Sequence, residues 1–282
     1  MSASRVVLLG GRGFVGSNLQ RELRSTGLDV ICVTSSDADL RTPMGATALS
    51  GIVRDGDIVV NCAAVVPARN TAEVIENVRI VESTLAGLAR VQLEPLVVVS
   101  SDAVYGDVSG VITAQTPVSA DSYYSAMCVV REVAAQETAS RATAIIRPTA
   151  IYGAGDSHNS YGPNRFIQTG LQDHEITIFG QGEASRDHVH ISDVSKAIVH
   201  AITSRLDGIF NIASGSAVSF HDVAKIVSEA IGNGVEIHSA GAESAVTHRY
   251  VDLEDIRSWF PMFTPTSIRS GVTRVVDELR AH

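Results

Sequence analysis

Along the first half of the chain, apolar residues come in short unbroken runs rather than alternating with polar ones. The runs RVVLLG, LDVICVT, DIVVNCA, PLVVVSS and ATAIIRP are rich in β-branched residues and bounded by turn residues. That is the pattern of strands buried on both faces of a parallel sheet. The stretches between them predict helices, notably over 13–26, 71–90 and 122–140. Strand and helix alternate up to about Pro148, which implies an α/β architecture with helices on both faces of the sheet. Beyond that point the order loosens. YGAGDSHNSYGPNR reads as a long loop, and shorter elements follow it. We therefore expect a domain over 1–150, with later segments returning to it. Residues 151–282 should form mainly a smaller substrate-binding lobe, capping the C-terminal ends of the strands.

Composition narrows the function classes. The 282 residues are 45% hydrophobic and 19% charged, as in an ordinary globular protein. A formal net charge of −9 works against unspecific binding to nucleic acid or an anionic membrane. Any phosphate-bearing ligand must then be held by a few local arginines and backbone amides. No apolar run is long enough to span a bilayer, and MSASRVVLLG lacks the basic and apolar regions of a signal peptide. The expectation is a cytoplasmic protein. Three cysteines in a chain of this length make no disulfide framework.

VVLLGGRGFVGSNL places Gly10, Gly13 and Gly16 after the first strand and at the opening of the first helix. Gly10 permits a tight turn, Gly13 lets backbone approach a pyrophosphate, and Gly16 lets helix and sheet pack closely. The helix N-terminus then offers unpaired amides to the anion. Together with the strand pattern, this predicts a Rossmann-type, doubly wound parallel sheet.

The glycine spacing, with Phe14 and Val15 between the last two, resembles the extended short-chain dehydrogenase/reductase family. That family includes nucleotide-sugar epimerases, dehydratases and ketoreductases. The resemblance runs through nearly the whole chain. NCAA, with Cys62, Ala63 and Ala64, is similar to a cofactor-contacting loop. ENVRIVESTL is similar to a helix whose asparagine, here Asn77, supports the active site. VVVSSDAVYGD is similar to the strand end that delivers a catalytic hydroxyl, here Ser101 preceded by Ser100. IIRPTAIYGAGD with Pro148, GQGEASRDHVHISDV and FNIASG follow in the family's order.

The resemblance implies a nicotinamide dinucleotide. The second strand ends at Thr34, followed by Ser35 and Ser36, where an NAD enzyme commonly carries an acid for the adenosine ribose. On this reading the site holds only hydroxyls. Arg12 could reach a 2′-phosphate, as a similar arginine does in the family's NADP-dependent reductases. We expect NADP, with NAD as the alternative. Asp39 and Leu40, in ADLR, resemble the residues flanking the adenine.

In the family, a tyrosine moves a proton to or from the substrate oxygen while Ser or Thr hydrogen-bonds the same oxygen. A lysine four residues after the tyrosine holds the nicotinamide ribose and lowers the tyrosine pKa. An unassisted phenol titrates near ~10. By register these positions are Ser101, Tyr124 and Cys128, with Glu132 eight residues after the tyrosine. Using Tyr123 instead would put Met127 at the lysine position and Glu132 out of register. A thiol supplies no positive field. Arg131 lies on the same helix face, but nearly two turns from Tyr124. A neutral phenol can still donate a proton, so ketone reduction suffers less than oxidation-first chemistry. The family's dehydratases place Asp–Glu after the hydroxyl residue. Here Asp102 is followed by Ala103, which disfavours dehydration.

In the second half, NRFIQTGLQ with Asn164 and Phe166 resembles a nucleotide-holding helix. Arg186 and Arg249 match arginines on the diphosphate, for which forked charge-assisted hydrogen bonds suit guanidinium. His188, His190 and Asp193 match a structural motif, so no metal is expected. The resemblance implies an NAD(P)-dependent oxidoreductase on a nucleotide-activated sugar, foremost a 4-ketoreductase. A 4-epimerase and a catalytically weak or inactive NADP(H)-binding protein are the alternatives. Family members often pair two long helices into a four-helix bundle, so a homodimer is expected through 71–90 and 122–140.

Overall fold

The computed structural model describes residues 5–137, 142–156, 158–159, 161–232, 234–241 and 247–281. The chain opens with β1 (Arg5–Leu9), α1 (Phe14–Arg24), β2 (Asp29–Val33), α2 (Pro43–Ile52), β3 (Ile58–Asn61), α3 (Thr71–Leu88) and β4 (Leu96–Val99). A 3-10 turn (Asp102–Tyr105) and β5 (Gly110–Ile112) precede α4 (Tyr123–Glu137), β6 (Thr143–Pro148), β7 (Ala150–Tyr152) and α5 (Pro163–Gln172). Next come β8 (Glu175–Phe179), β9 (Ser185–His190), α6 (Ile191–Thr203), β10 (Gly208–Ile212), β11 (Ala217–Ser219) and α7 (Phe220–Ile231). The last elements are β12 (Glu236–Ala240), β13 (Arg249–Val251), α8 (Leu253–Trp259) and α9 (Ile268–Arg280).

Two compact units result. The first comprises Met1–Gly106, Pro117–Pro148 and Val194–Phe210. Its centre is a six-stranded parallel sheet in the order β10-β6-β4-β3-β1-β2. Leu9 pairs with both Val33 and Asn61, so β1, β2 and β3 end level with one another. Gly10, Thr34 and Cys62 therefore leave the sheet along one edge. The strand order reverses between β1 and β3, and ligands of open α/β sheets bind outside the carboxyl ends at such a point. Every residue of β3, β4 and β6 is buried, which is why their sequences are continuous apolar runs.

The helices expected over 13–26, 71–90 and 122–140 are Phe14–Arg24, Thr71–Leu88 and Tyr123–Glu137; residues 138–140 lie outside those described. Asn70 starts α3 by accepting the Glu73 amide. The apolar pattern announces no element where α2 lies. Its small residues explain the omission: a Cβ on Gly45 would stand 2.2 Å from the Asp39 carbonyl oxygen.

The second unit comprises Asp107–Thr116, Thr149–Asp193 and Asn211–His282. It contains a three-stranded sheet β11-β9-β7 and two parallel pairs, β12 with β8 and β13 with β5. Its apolar core is built from α5, α7, α9 and β8, around Phe166, Ile176, Val223 and Val272. Residues 194–210, past position 150, belong to the first unit, and residues 107–116, before it, belong to the second.

Candidate active site

The glycine turn divides its labour by position. Gly10 has φ +78°, and a Cβ there would stand 2.9 Å from the Ala63 amide nitrogen. A Cβ on Gly16 would lie 2.2 Å from the Gly10 carbonyl oxygen, so α1 and β1 close to a distance only glycine allows. Gly13 is exposed, and only the Gly10 oxygen, 3.3 Å away, bounds the space its Cβ would take. As the N-cap of α1 it offers no side-chain acceptor, which leaves first-turn amides to an incoming anion. Phe14 and Val15, half-buried, begin that helix. This cradle fits a dinucleotide pyrophosphate.

The edge after β2 holds a carboxylate where Thr34, Ser35 and Ser36 lead one to expect only hydroxyls. Asp37 folds back into that turn and accepts from the Thr34 amide (2.9 Å) and the Thr34 hydroxyl (2.7 Å). Those hydrogen bonds, with the nearby charge of Arg12, hold its carboxyl below the usual range. Ser35 and Ser36 are exposed. Asp39 is engaged by Arg41 at 2.8 Å, and Leu40 is buried in the first unit's core rather than presented to a ligand.

After β3, Asn61 caps its own loop by accepting the Ala63 amide at 3.0 Å. Cys62 and Ala64 are half-buried on that loop, and burial pushes the Cys62 thiol up to about 12. Asn77 clamps Val65 from both sides: its Oδ1 accepts from the amide (3.0 Å) and its Nδ2 donates to the carbonyl (2.9 Å). It thus supports the loop and points no free group outward.

The chemistry-bearing side chains converge where β4 ends and α4 begins. Ser101 caps the 3-10 turn by accepting the Ala103 amide (3.1 Å). Its hydroxyl lies 3.4 Å from Asp102 Oδ1, and Tyr124 and Cys128 of α4 come close enough to it and to Ser100 for these groups to influence one another's ionisation. Tyr123 points elsewhere: it is 51% exposed and reaches the Thr71 hydroxyl at 3.5 Å. Burial raises the Tyr124 pKa above that of a free phenol, and Cys128 and Asp102 raise it further. The Ser101 hydroxyl and the Arg131 charge oppose them. Burial also pushes the Cys128 thiol up to about 11. At neutral pH both groups are protonated, so the corner holds a proton donor.

Behind it stands a brace that no motif in the sequence announces. Arg147, buried on β6, forms two hydrogen bonds to Glu132 of α4, with Nε to Oε1 at 2.9 Å. It also donates to the Tyr105 hydroxyl (2.9 Å) and lies 4.9 Å from that ring's centre. Glu132 accepts the Ser100 hydroxyl as well. The end of β4, the 3-10 turn and α4 are thereby locked in mutual position, while Pro148 ends β6 in the same buried layer. An arginine inside the apolar run AIIRP was the available clue, since a buried arginine demands a carboxylate.

In the second unit Arg186 and Arg249 lie side by side. Ser185 bridges His248 in parallel register, which directs the next residue of each strand to one common face. Arg186 donates to the Thr247 carbonyl (2.9 Å) and meets Asp107 at 3.5 Å, not the adjacent Asp187. Two expected nucleotide contacts are otherwise employed. Asn164 holds its loop through the Gly153 amide (3.0 Å) and Asp156 (2.6 Å). Phe166, 1% exposed, stacks edge-on to Tyr161 and Phe220 in the core, so packing occupies it rather than a ligand. Asp187 is ligated by Ser214 (2.7 and 2.9 Å) and Ser216 (3.0 Å). No cluster of potential metal ligands exists among the described residues.

Residues 6–213 match the NAD dependent epimerase/dehydratase family. The chain is 25% identical to a putative UDP-glucose 4-epimerase of Methanocaldococcus jannaschii over 98% of both chains. It is 23% identical to the dTDP-4-dehydro-6-deoxy-D-allose reductase of Streptomyces bikiniensis, covering 99% of this chain and 98% of the relative. Among solved structures it superposes on the UDP-glucose 4-epimerase of Thermus thermophilus in complex with NAD, with a TM-score of 0.85 and 23% identity, covering 98% and 99% of the two chains. With the glycine cradle, the hydroxyl–tyrosine corner and the parallel sheet all in one unit, the chain belongs to the NAD dependent epimerase/dehydratase family.

Proposed function

We propose that the protein is an NADP-linked oxidoreductase that reduces a 4-keto group on a nucleotide-activated sugar. The observation that carries this reading is the pairing of buried Ser101 with half-buried Tyr124, whose phenol is kept protonated and has no lysine beside it. A bound dinucleotide supplies the hydride. Tyr124 delivers the proton to the carbonyl oxygen as it becomes a hydroxyl, and Ser101 donates a hydrogen bond to that oxygen. Asp102 without a following glutamate leaves elimination of water without its second group. Arg186 and Arg249, sharing a face, suit a diphosphate. The printed activity of the Streptomyces bikiniensis relative agrees with reduction, and that of the Methanocaldococcus jannaschii relative keeps 4-epimerisation as the second reading.

Arg12 supports NADP, and Asp37 narrows its margin over NAD by placing a carboxylate in the same turn. Arg12→Ala should weaken NADPH selectively, by about 1–3 kcal/mol. Asp37→Asn should shift preference further toward NADPH. Equal losses for both dinucleotides on removing Arg12 would reject the assignment. Turnover of a panel of 4-keto and 4-hydroxy sugar nucleotides, each with both dinucleotides, tests the reaction itself.

For assembly, α3 and α4 expose Ile75, Val78, Tyr123, Val130 and Val133 in the first unit. Such a face suits pairing with a second copy of the chain, and a monomeric mass at micromolar concentration would reject the dimer.

A further inference from the structure

We propose that Arg131 is the cation of this active site, stabilising the charge that Tyr124 acquires when it releases its proton. The inference rests on the reading of Tyr124 as the proton-transfer group. Arg131 is only 6% exposed, yet no carboxylate engages it among the described residues. Its hydrogen bond is a long one, from Nη2 to the Asn61 carbonyl oxygen at 3.3 Å, and its Nε is sealed from solvent without a partner. A buried guanidinium is ordinarily matched by an anion, because desolvation is otherwise uncompensated. Among the described residues of this unit, the other buried or half-buried arginines obey that rule, Arg147 with Glu132 and Arg5 with Asp57. Arg131 alone among these three keeps its charge in reserve.

Its placement says for what. Tyr124, Cys128 and Arg131 follow one another at i, i+4 and i+7 on α4, one face of the helix. The Asn61 carbonyl fixes the guanidinium at the carboxyl end of β3, beside the Cys62 loop. Its field reaches Tyr124, Cys128 and Cys62. The remaining groups that face the phenol are neutral or negative: Ser101, the Cys128 thiol and Asp102, with Glu132 acting on Cys128. Glu132 is spent on Arg147 and Ser100. Without Arg131, the phenolate left by proton donation would form with no cationic side chain of the protein facing it. A guanidinium also keeps its charge throughout the pH range of a folded protein. Arg131 acts through Tyr124 and not on the substrate, so it is a positioning residue.

The test is a cycle of Arg131→Met, Arg131→Lys, Cys128→Lys and the double variant Arg131→Met with Cys128→Lys. A fluorinated tyrosine in place of Tyr124 brings ionisation into an accessible range, and its absorbance reports the midpoint without any substrate. We expect Arg131→Met to raise that midpoint by about one unit or more and to lower turnover about tenfold per unit. Arg131→Lys should stay near the parent. Cys128→Lys should change the parent little, but should restore most of the loss in the Arg131→Met background, a non-additive pair. An unchanged midpoint in folded Arg131→Met, or Arg131→Lys as damaged as Arg131→Met, overturns the proposal. If Arg131→Met does not fold, a gain of about tenfold or more from Cys128→Lys alone overturns it, because the corner would then have lacked a cation. Absence of turnover on every sugar nucleotide with a shifted midpoint would reject the proposed reaction and leave the role of Arg131 standing.

Discussion

Two buried arginines meet at one stretch of α4, Arg131 within it and Arg147 reaching it from β6, and they are held in opposite ways. Arg147 reaches Glu132 through two hydrogen bonds and Tyr105 through a third. Arg131, the residue just before Glu132, donates one long hydrogen bond to a carbonyl and leaves Nε unmatched. The difference separates a structural charge from a functional one. A brace gains from full compensation, since every donor finds an acceptor and the geometry becomes unique. A charge intended for a partner that appears only during reaction must be left incompletely paired. The second unit shows a third treatment of the same problem: His188 is fully enclosed, both ring nitrogens lack a partner, and burial drives its pKa down to about 4. There the charge is simply discarded.

The comparison breaks most visibly at the brace. Glu132→Gln should destabilise the fold by about 3–5 kcal/mol, because it strands the buried Arg147 guanidinium. Denaturant unfolding monitored by circular dichroism measures it, and a loss under about 1 kcal/mol would show that the brace is dispensable. On the reactive side the loss should appear in rate and not in stability. Tyr124→Phe should lower turnover by a factor on the order of 10²–10⁴ with an unfolding midpoint near the parent's. Tyr123→Phe, whose ring is largely exposed, should leave turnover within about twofold.

The neutralised histidine gives a smaller effect on stability than the brace, and its sign follows from its pKa. A folded pKa of about 4 lies below the ordinary 6.5, so the unfolded chain takes up a proton first as pH falls. Stability associated with His188 is therefore present above about pH 6.5 and lost on the way to pH 4. Asp187 acts the other way. Burial raises its pKa to about 6, against hydrogen bonds from Ser214, so its contribution is present below 3.8 and lost as pH rises through 6. The two slopes largely cancel in the parent. His188→Phe should remove one of them and gain about 2 kcal/mol at about pH 4.5 relative to about pH 7.5. Urea unfolding at the two pH values decides, and equal shifts at both would show that His188 is not neutral in the fold.

What the sequence determined by itself is local and periodic. Continuous β-branched runs announce buried parallel strands because both faces of such strands are covered, and β3, β4 and β6 are buried throughout. The glycine turn is legible because its steric demands lie within one short stretch, Gly10 to Gly16. Tyr124 and Cys128 share a face by helical period alone. The tertiary structure decided whatever depends on a partner far along the chain. Asp37 entered the edge after β2 through a fold-back that no strand pattern announces. Phe166, on an amphipathic helix, faces Tyr161 and Phe220, and periodicity does not say which face is covered. Arg131 lay on the right face in the sequence, but nearly two turns along α4 from the phenol. Its side chain is long, and the acceptor that anchors it, the Asn61 carbonyl, lies seventy residues earlier on another element. Helical spacing measures Cα positions; the reach of a guanidinium and the identity of its acceptor are properties of the folded molecule.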